Sequence, residues 1–355
     1  MERITGQEKK AKRPFLPPSL SGLKKGVYMK RPIKSGKLYS GGFSLNVLTD
    51  DELYEIHLGT LEILKTTGVY VESEEAREIL SGGGATVNEE NKVVTFPPYL
   101  VEDAIRWAPD TFYAYGRIPE SDVVLEANRV TFTNFGEGIM FVDPYTGEHR
   151  QTTKKDVEMA ARIIDYLPNV ETYERCMLSH DKHHAVQALH NAEASLTNTT
   201  KHHWLGPVDR YQCGKIIDIC SAIAGGNDKF RERPFLTFVT CPISPLKLSS
   251  HHCDIIIEAA QNGMGVNCIG MAMTGGSSPI HIAGTLVQQN AELLASLVLS
   301  QLVKKGAAFI YASSTCPLDL KQGTASVGSP ETGIINAAVA RLARYYNLPS
   351  FAAGG

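Results

Sequence analysis

From about residue 170 onward the sequence alternates short β-rich apolar runs with longer amphipathic stretches, which leaves the chain few ways to fold. The runs occupy residues 170–176, 202–205, 235–241, 265–271, 307–313 and 348–353. Between them lie helical patterns at 208–224, 251–262, 282–304 and 331–346, each closed by a Gly or Asn suited to a C-cap. Strand starts recur roughly every 30 to 40 residues, the spacing of βα units that build parallel sheets and, closed on themselves, the (β/α)8 barrel. Six such units are visible, where a closed barrel needs about eight. The expected fold is therefore α/β: an incomplete (β/α)8 TIM barrel of about six βα units, cut short at Gly354-Gly355, the tip of its last strand.

Composition narrows the function classes. A chain of 355 residues with 43% apolar and 21% charged residues is an ordinary globular protein. Its net charge of −3 gives no reason to expect nucleic acid. Seven cysteines (176, 213, 220, 241, 253, 268 and 316), with no CxxC pair, suit a reducing cytosol better than a disulfide scaffold, and a cytoplasmic location is expected. The N-terminus lacks an apolar signal core, and the most apolar helix, 282–303, is interrupted by Gln288, Gln289, Asn290 and Glu292. No membrane-spanning segment is expected.

Three regions are expected. Residues 1–45 are rich in Lys, Arg, Pro and Gly and read as a basic, mostly disordered arm. Residues 46–165 read as an N-terminal α+β layer, opening with a capped helix at Thr49-Asp50-Asp51-Glu52 that ends near Gly68. Residues 166–355 read as the partial barrel.

Working residues of a barrel cluster at the carboxyl ends of its strands. The second strand ends near His203 and Trp204, and Thr274-Gly275-Gly276-Ser277-Ser278-Pro279 follows the fourth. Its glycines and hydroxyls could form an N–H nest for an anion, or simply a tight βα turn, which makes Gly275, Gly276 and Ser277 loop candidates. Residues 315–328, carrying Asp319, Lys321 and Gln322, are long for a βα loop and read as a binding or lid element. Glu331 sits in the first turn of the next helix, either as a helix-dipole residue or facing the pocket. Glu137, flanked by Gly136 and Gly138, could face a cationic ligand or mark a bulge. The histidine pairs 183/184, 202/203 and 251/252 cannot chelate as neighbours, because adjacent side chains diverge on either kind of element.

The stretches Cys241-Pro242-Ile243-Ser244-Pro245-Leu246, Met271-Ala272-Met273-Thr274-Gly275-Gly276-Ser277-Ser278-Pro279, Ala283-Gly284-Thr285-Leu286-Val287, Gly328-Ser329-Pro330-Glu331 and Leu348-Pro349-Ser350 resemble the trimethylamine:corrinoid methyltransferase family, from about Leu45 to the end. The resemblance implies a (β/α)8 enzyme that moves a methyl group from trimethylamine to the Co(I) corrinoid (cobalamin) of a separate carrier protein in methylamine one-carbon metabolism, with no tightly bound cofactor of its own. It also implies a pyrrolysine at the position after Gly355, encoded by an amber codon, whose imine captures the amine as a cationic adduct. The partners then expected are a corrinoid carrier protein and a small methylated amine, in a homo-oligomer when full length. A mouth lined with carboxylate and aromatic surface would suit the cation, and Glu137, His203, Trp204, Tyr311, Gln322 and Glu331 are its positional candidates.

Other readings stay open. A related branch lacks pyrrolysine and demethylates quaternary amines such as glycine betaine. A reading of another class makes the chain an inactive truncated product or an amine-binding module, with unpaired edges at its first and sixth barrel strands. A metal-dependent barrel hydrolase would require a tightly bound metal.

Overall fold

The computed structural model describes residues 46–126, 129–136, 138 and 140–353, with the backbone of 37–38. The rest of the basic arm, Glu137 and Gly354-Gly355 lie outside the described residues.

Six parallel strands form the central sheet in chain order: β1 (Thr172–Glu174), β2 (His202–Leu205), β3 (Leu236–Thr240), β4 (Val266–Gly270), β5 (Phe309–Ser313) and β6 (Ser350–Ala352). Each strand pairs with the next in parallel register, as His203 with Leu236 and Tyr311 with Ser350. The sheet curls into an incomplete barrel. All six runs expected from the sequence are strands: 202–205 keeps its expected bounds, and the other five are trimmed by a residue or more where pairing stops.

Alternation along the strands separates two apolar clusters, because successive side chains point to opposite faces. Leu205, Phe238, Cys268, Phe309 and Tyr311 pack outward into the helix layer, while Trp204 and Ile310 belong to the inner cluster. An antiparallel hairpin, Phe112–Ala114 with Val123–Leu125, lies against that inner cluster and contributes Phe112, Ala114, Val123 and Leu125 to it. Gly265, just before β4, lets the hairpin approach: a Cβ there would meet Phe112 Cε2 at 2.8 Å.

Among the described residues, nine helices of nine or more residues surround these strands: α1 (Asp50–Thr66), α2 (Glu74–Gly82), α3 (Pro98–Trp107), α4 (Lys154–Tyr166), α5 (Gln187–Leu196), α6 (Arg210–Ala224), α7 (Ser250–Gln261), α8 (Ile282–Val303) and α9 (Pro330–Tyr345). α1 opens on a complete capping box: the Thr49 hydroxyl accepts the Glu52 N–H at 3.2 Å, and the Glu52 carboxylate accepts the Thr49 N–H at 2.7 Å. α5 and a short helix, Asn227–Glu232, lie where the sequence gives no strong apolar period.

α8 packs against α1, α3 and α7 and is buried nearly all round, as expected of a helix without a polar face. The residues that break its apolar run are buried and bonded. Asn290 donates to the Tyr346 hydroxyl at 2.7 Å and accepts from the Tyr311 hydroxyl at 2.9 Å. Gln289 accepts from the Ser313 hydroxyl at 3.0 Å, and His252 meets the Ser296 hydroxyl at 2.8 Å. These bonds satisfy groups that would otherwise be costly to bury. No described helix is long and apolar enough to cross a membrane.

Residues 315–328 do not form the irregular loop expected. Cys316–Asp319 and Thr324–Ala325 pair as a hairpin, and Cys316–Asp319 also pairs in parallel with Met273–Thr274. The segments after β4 and β5 thus become one three-stranded sheet.

Candidate active site at the carboxyl ends of the barrel strands

A cavity of about 490 Å³ opens beside the carboxyl ends of the strands and in the gap between β1 and β6. Its barrel wall consists of Thr172 and Glu174 of β1, Trp204 of β2, Ile269 of β4, Ser314 and residues 350–353. Ala340 and Arg344 of α9 form another side, and residues 129–136 the third.

Residues 132–136 and Gly138 lie as a strap along the free edge of β1. The Phe132 carbonyl accepts the Glu171 N–H at 2.8 Å, and Gly138 donates its N–H to the Cys176 carbonyl at 2.7 Å. Between these bonds the Asn134 side chain substitutes for a neighbouring strand. Its Oδ1 accepts the Glu174 N–H at 2.9 Å and its Nδ2 donates to the Glu174 carbonyl at 2.7 Å. The first strand edge, expected to be unpaired, is therefore covered by the chain's own strap, which answers the liability of an open edge.

Glu174 is the distinctive residue of the cavity. It is the last residue of β1, its side chain is partly buried, and its carboxylate has no hydrogen-bond or ion-pair partner among the described residues. Burial lifts its carboxyl from the ordinary glutamate value near 4.5 to about 7. Burial chiefly, and the Glu174 charge in addition, raises the Cys241 thiol to about 11. Beside Glu174 in the wall stands Trp204, 1% exposed, whose indole N–H has no hydrogen-bond partner among the described residues. Phe351 packs edge-on against Trp204 with ring centroids 5.9 Å apart. Arg129, which lines the strap side, is engaged by the Glu126 carboxylate.

Of the described residues expected at the mouth, Trp204 alone lines this cavity. His203 and Tyr311 stand on strands that border it, but their side chains point outward, so that expectation is corrected by the alternation of the strands. His203 is fully buried against Tyr173, ring centroids 5.2 Å apart, and burial holds its imidazole down at about 4. The Tyr311 hydroxyl donates to Asn290 inside the helix layer. Gln322 is exposed, its N–H bound by Asp319 Oδ1 at 3.0 Å in the hairpin turn. Glu331 is exposed in the first turn of α9, the helix-dipole placement. Glu137 lies outside the described residues.

The glycine loop after β4 is a closed turn and not an open nest. The Gly275 N–H goes to the Ser278 carbonyl at 3.1 Å, those of Gly276 and Ser278 to the Met273 carbonyl, and the Ser277 hydroxyl accepts the Met273 N–H at 3.0 Å. With those donors in use, the N–H groups of Gly275, Gly276 and Ser278 are turned into the loop and not toward an anion.

Sequence reasoning missed Glu174 and Asn134. A carboxylate on an inward-facing position at the end of the first strand run was the available signal, since Thr172 and Glu174 share a face by period two. The strap residue had no such signal, because its partner lies 40 positions away.

The geometry fits a small cation: the Glu174 carboxyl, unpaired among the described residues, the aromatic rings of Phe132, Phe135, Trp204 and Phe351 in the lining, and a cavity of molecular size. The sequence profile of the family described as Trimethylamine methyltransferase (MTTB) matches residues 31–355. The chain belongs to this family. Trimethylamine methyltransferase MttB of Desulfitobacterium hafniense (strain DSM 10664 / DCB-2) is 47% identical over 327 residues, covering 92% of this chain and 66% of its own. Trimethylamine methyltransferase MttB of Methanosarcina barkeri is 41% identical over 319 residues, covering 88% of this chain and 64% of its own. A glycine betaine methyltransferase of Desulfitobacterium hafniense (strain Y51) is 31% identical over 311 residues, covering 87% and 64%. The chain spans about two thirds of the length of these curated relatives. Among solved structures, the monomethylamine methyltransferase (MtmB) of Methanosarcina barkeri matches with a TM-score of 0.52 at 12% identity, covering 85% of this chain and 67% of its own. That likeness supports the barrel architecture of this family member.

Proposed function

We propose that this family member belongs to an enzyme that takes a methyl group from trimethylamine and passes it to the Co(I) corrinoid of a carrier protein, and that the Glu174 cavity holds the amine as a cation. The observation that carries the reading is the unpaired Glu174 carboxyl set among Trp204 and Phe351. An amine nitrogen leaves readily only when it is positively charged. As the methyl carbon departs to the nucleophilic metal, the N–C bonding pair stays on nitrogen and neutral dimethylamine is released. A carboxylate beside the nitrogen favours the cationic form, and the aromatic faces add cation–π attraction in a desolvated setting. Cobalt(I), supplied by the carrier, provides the nucleophile.

Ile243, Met271, Ile280 and Leu320, all exposed, stand on the segments after β3, β4 and β5. Apolar surface on that face suits contact with a carrier protein. Seven unpaired cysteines fit a reducing cytosol.

Arg344 also lines the cavity, an observation that favours a second reading in which the ligand carries its own carboxylate, as glycine betaine does. Titration calorimetry with trimethylamine and with glycine betaine, each on the parent chain and on Glu174→Ala, separates the readings. Binding of trimethylamine that Glu174→Ala abolishes supports the first, tighter binding of glycine betaine supports the second, and binding indifferent to Glu174 removes both. Binding without dimethylamine release in the presence of a reduced corrinoid carrier would leave an amine-binding module.

A further inference from the structure

The strap over β1 does more than cover an edge. Asn134 holds both backbone groups of Glu174 on the free edge of the sheet, so Glu174 is clamped between β2, where it stands opposite Trp204, and a side chain that takes the place of a further strand. Phe132 adds a second fixing point: its N–H is held by the Glu171 carboxylate at 2.8 Å, and its carbonyl accepts the Glu171 N–H. Thr133 adds a third, donating to the Thr172 carbonyl at 3.2 Å. The glutamate side chain then lies directly against Gly136. A Cβ built at that position would stand 2.6 Å from Glu174 Oε1, 2.7 Å from Cδ and 3.1 Å from Cγ. The first two distances are shorter than side chains tolerate, so the carboxyl occupies the space that a side chain at 136 would fill.

We propose that residues 132–136 form the specificity-determining wall of the cavity: Asn134 and Gly136 are positioning residues that fix the Glu174 carboxyl, and thereby set how bulky an alkylammonium head group the site accepts. The proposal rests on the reading of the cavity as a cation site. Other charged or titratable groups near the carboxyl are Arg175 and Cys176, which follow it in sequence, Cys241 after β3, the Glu126–Arg129 pair on the strap side and Arg344 of α9. None of these substitutes for Asn134 in its bonds to the Glu174 backbone.

The test uses the 355-residue chain and two readouts. The first needs no ligand: the titration of the Glu174 carboxyl followed by carbon-13 NMR, assigned against Glu174→Gln. The second is calorimetry with methylammonium and tetramethylammonium as probes. Gly136→Ala is expected to move the Glu174 titration and to lower the tetramethylammonium-to-methylammonium affinity ratio about tenfold. Asn134→Ala is expected to move the titration and weaken both cations. Combining Gly136→Ala with Glu174→Asp, whose shorter side chain vacates the crowded space, is expected to restore the ratio, a rescue that general damage to the fold would not give. An unchanged titration in both single variants overturns the proposal, as does an unchanged ratio in Gly136→Ala. If the parent chain binds neither cation, the cation-site reading falls and the size-selection proposal falls with it, whereas a shifted titration would still establish Asn134 and Gly136 as positioning residues.

Discussion

Glu292, in the middle of α8, accepts a hydrogen bond of 2.7 Å from the Ser244 hydroxyl in the loop after β3. The same carboxylate accepts the Leu246 N–H at 2.9 Å and the Gln288 side-chain N–H at 3.1 Å. The loop continues into Lys247–Leu248, which pairs with Val69–Val71 of the N-terminal sheet. One buried carboxylate therefore ties the central helix to the segment that joins barrel and N-terminal layer. Burial raises its pKa above the ordinary value, and its three neutral donors offset part of that rise. Glu292→Ala would leave buried donors unmet and open a cavity, and is expected to cost about 3–5 kcal/mol. Glu292→Gln keeps the shape but loses acceptor capacity, with an expected cost of about 1–2 kcal/mol. Urea unfolding of the three proteins checks the order.

Glu174 makes the stability of the protein depend on pH in a stated direction. Its folded pKa, about 7, lies above the ordinary value near 4.5, so the folded state binds the proton more tightly than the unfolded chain. The stabilisation is complete below pH 4.5 and is lost as pH rises through 7, by no more than about 3 kcal/mol. Relative to Glu174→Gln, the parent chain should lose stability between pH 5 and pH 8. A difference in unfolding free energy that stays flat across that window would show that the carboxyl is not desolvated. Binding of tetramethylammonium should rise over the same window, since only the ionised carboxylate attracts it.

The Gly68 backbone is predicted to tolerate no side chain. It ends α1 at φ +73°, and a Cβ would lie 2.4 Å from the Val94 carbonyl oxygen of the neighbouring sheet. Both the left-handed conformation and the contact oppose Gly68→Ala, for an expected loss of about 2–4 kcal/mol. Gly147, also at positive φ but with open space around it, should lose only about 1 kcal/mol on the same change. Thermal melts of the two variants measure the difference.

What the sequence made legible was what repeats locally. The βα alternation predicts all six barrel strands, and Thr49 with Glu52 predicts the first cap, because both signals lie within one or two turns of chain. The cavity wall was not legible to the same degree. Trp204 was within reach, since it ends a strand run. His203 next to it was misassigned because a run such as His202-His203-Trp204-Leu205 is buried on both faces and carries no polar alternation to say which side looks inward. Asn134 and Gly136 act on a residue some forty positions away, and no local pattern announces a strap that substitutes for a strand.

Trp204 both lines the cavity and packs in the inner cluster, and the proposed cation contact and the packing separate by substitution. Trp204→Ala removes a side chain that is 1% exposed and packed among Phe112, His202 and Phe351, for an expected cost of about 3–5 kcal/mol. Trp204→Phe keeps most of the packing but offers a poorer cation–π surface. It is expected to weaken tetramethylammonium binding by roughly three- to tenfold while costing much less in stability. Calorimetry and urea unfolding on the same preparations measure both quantities. Should Trp204→Phe bind the cation as tightly as the parent chain, the indole would add nothing beyond what a phenyl ring supplies, and the attraction would have to come from the Glu174 carboxylate and the remaining rings of the wall.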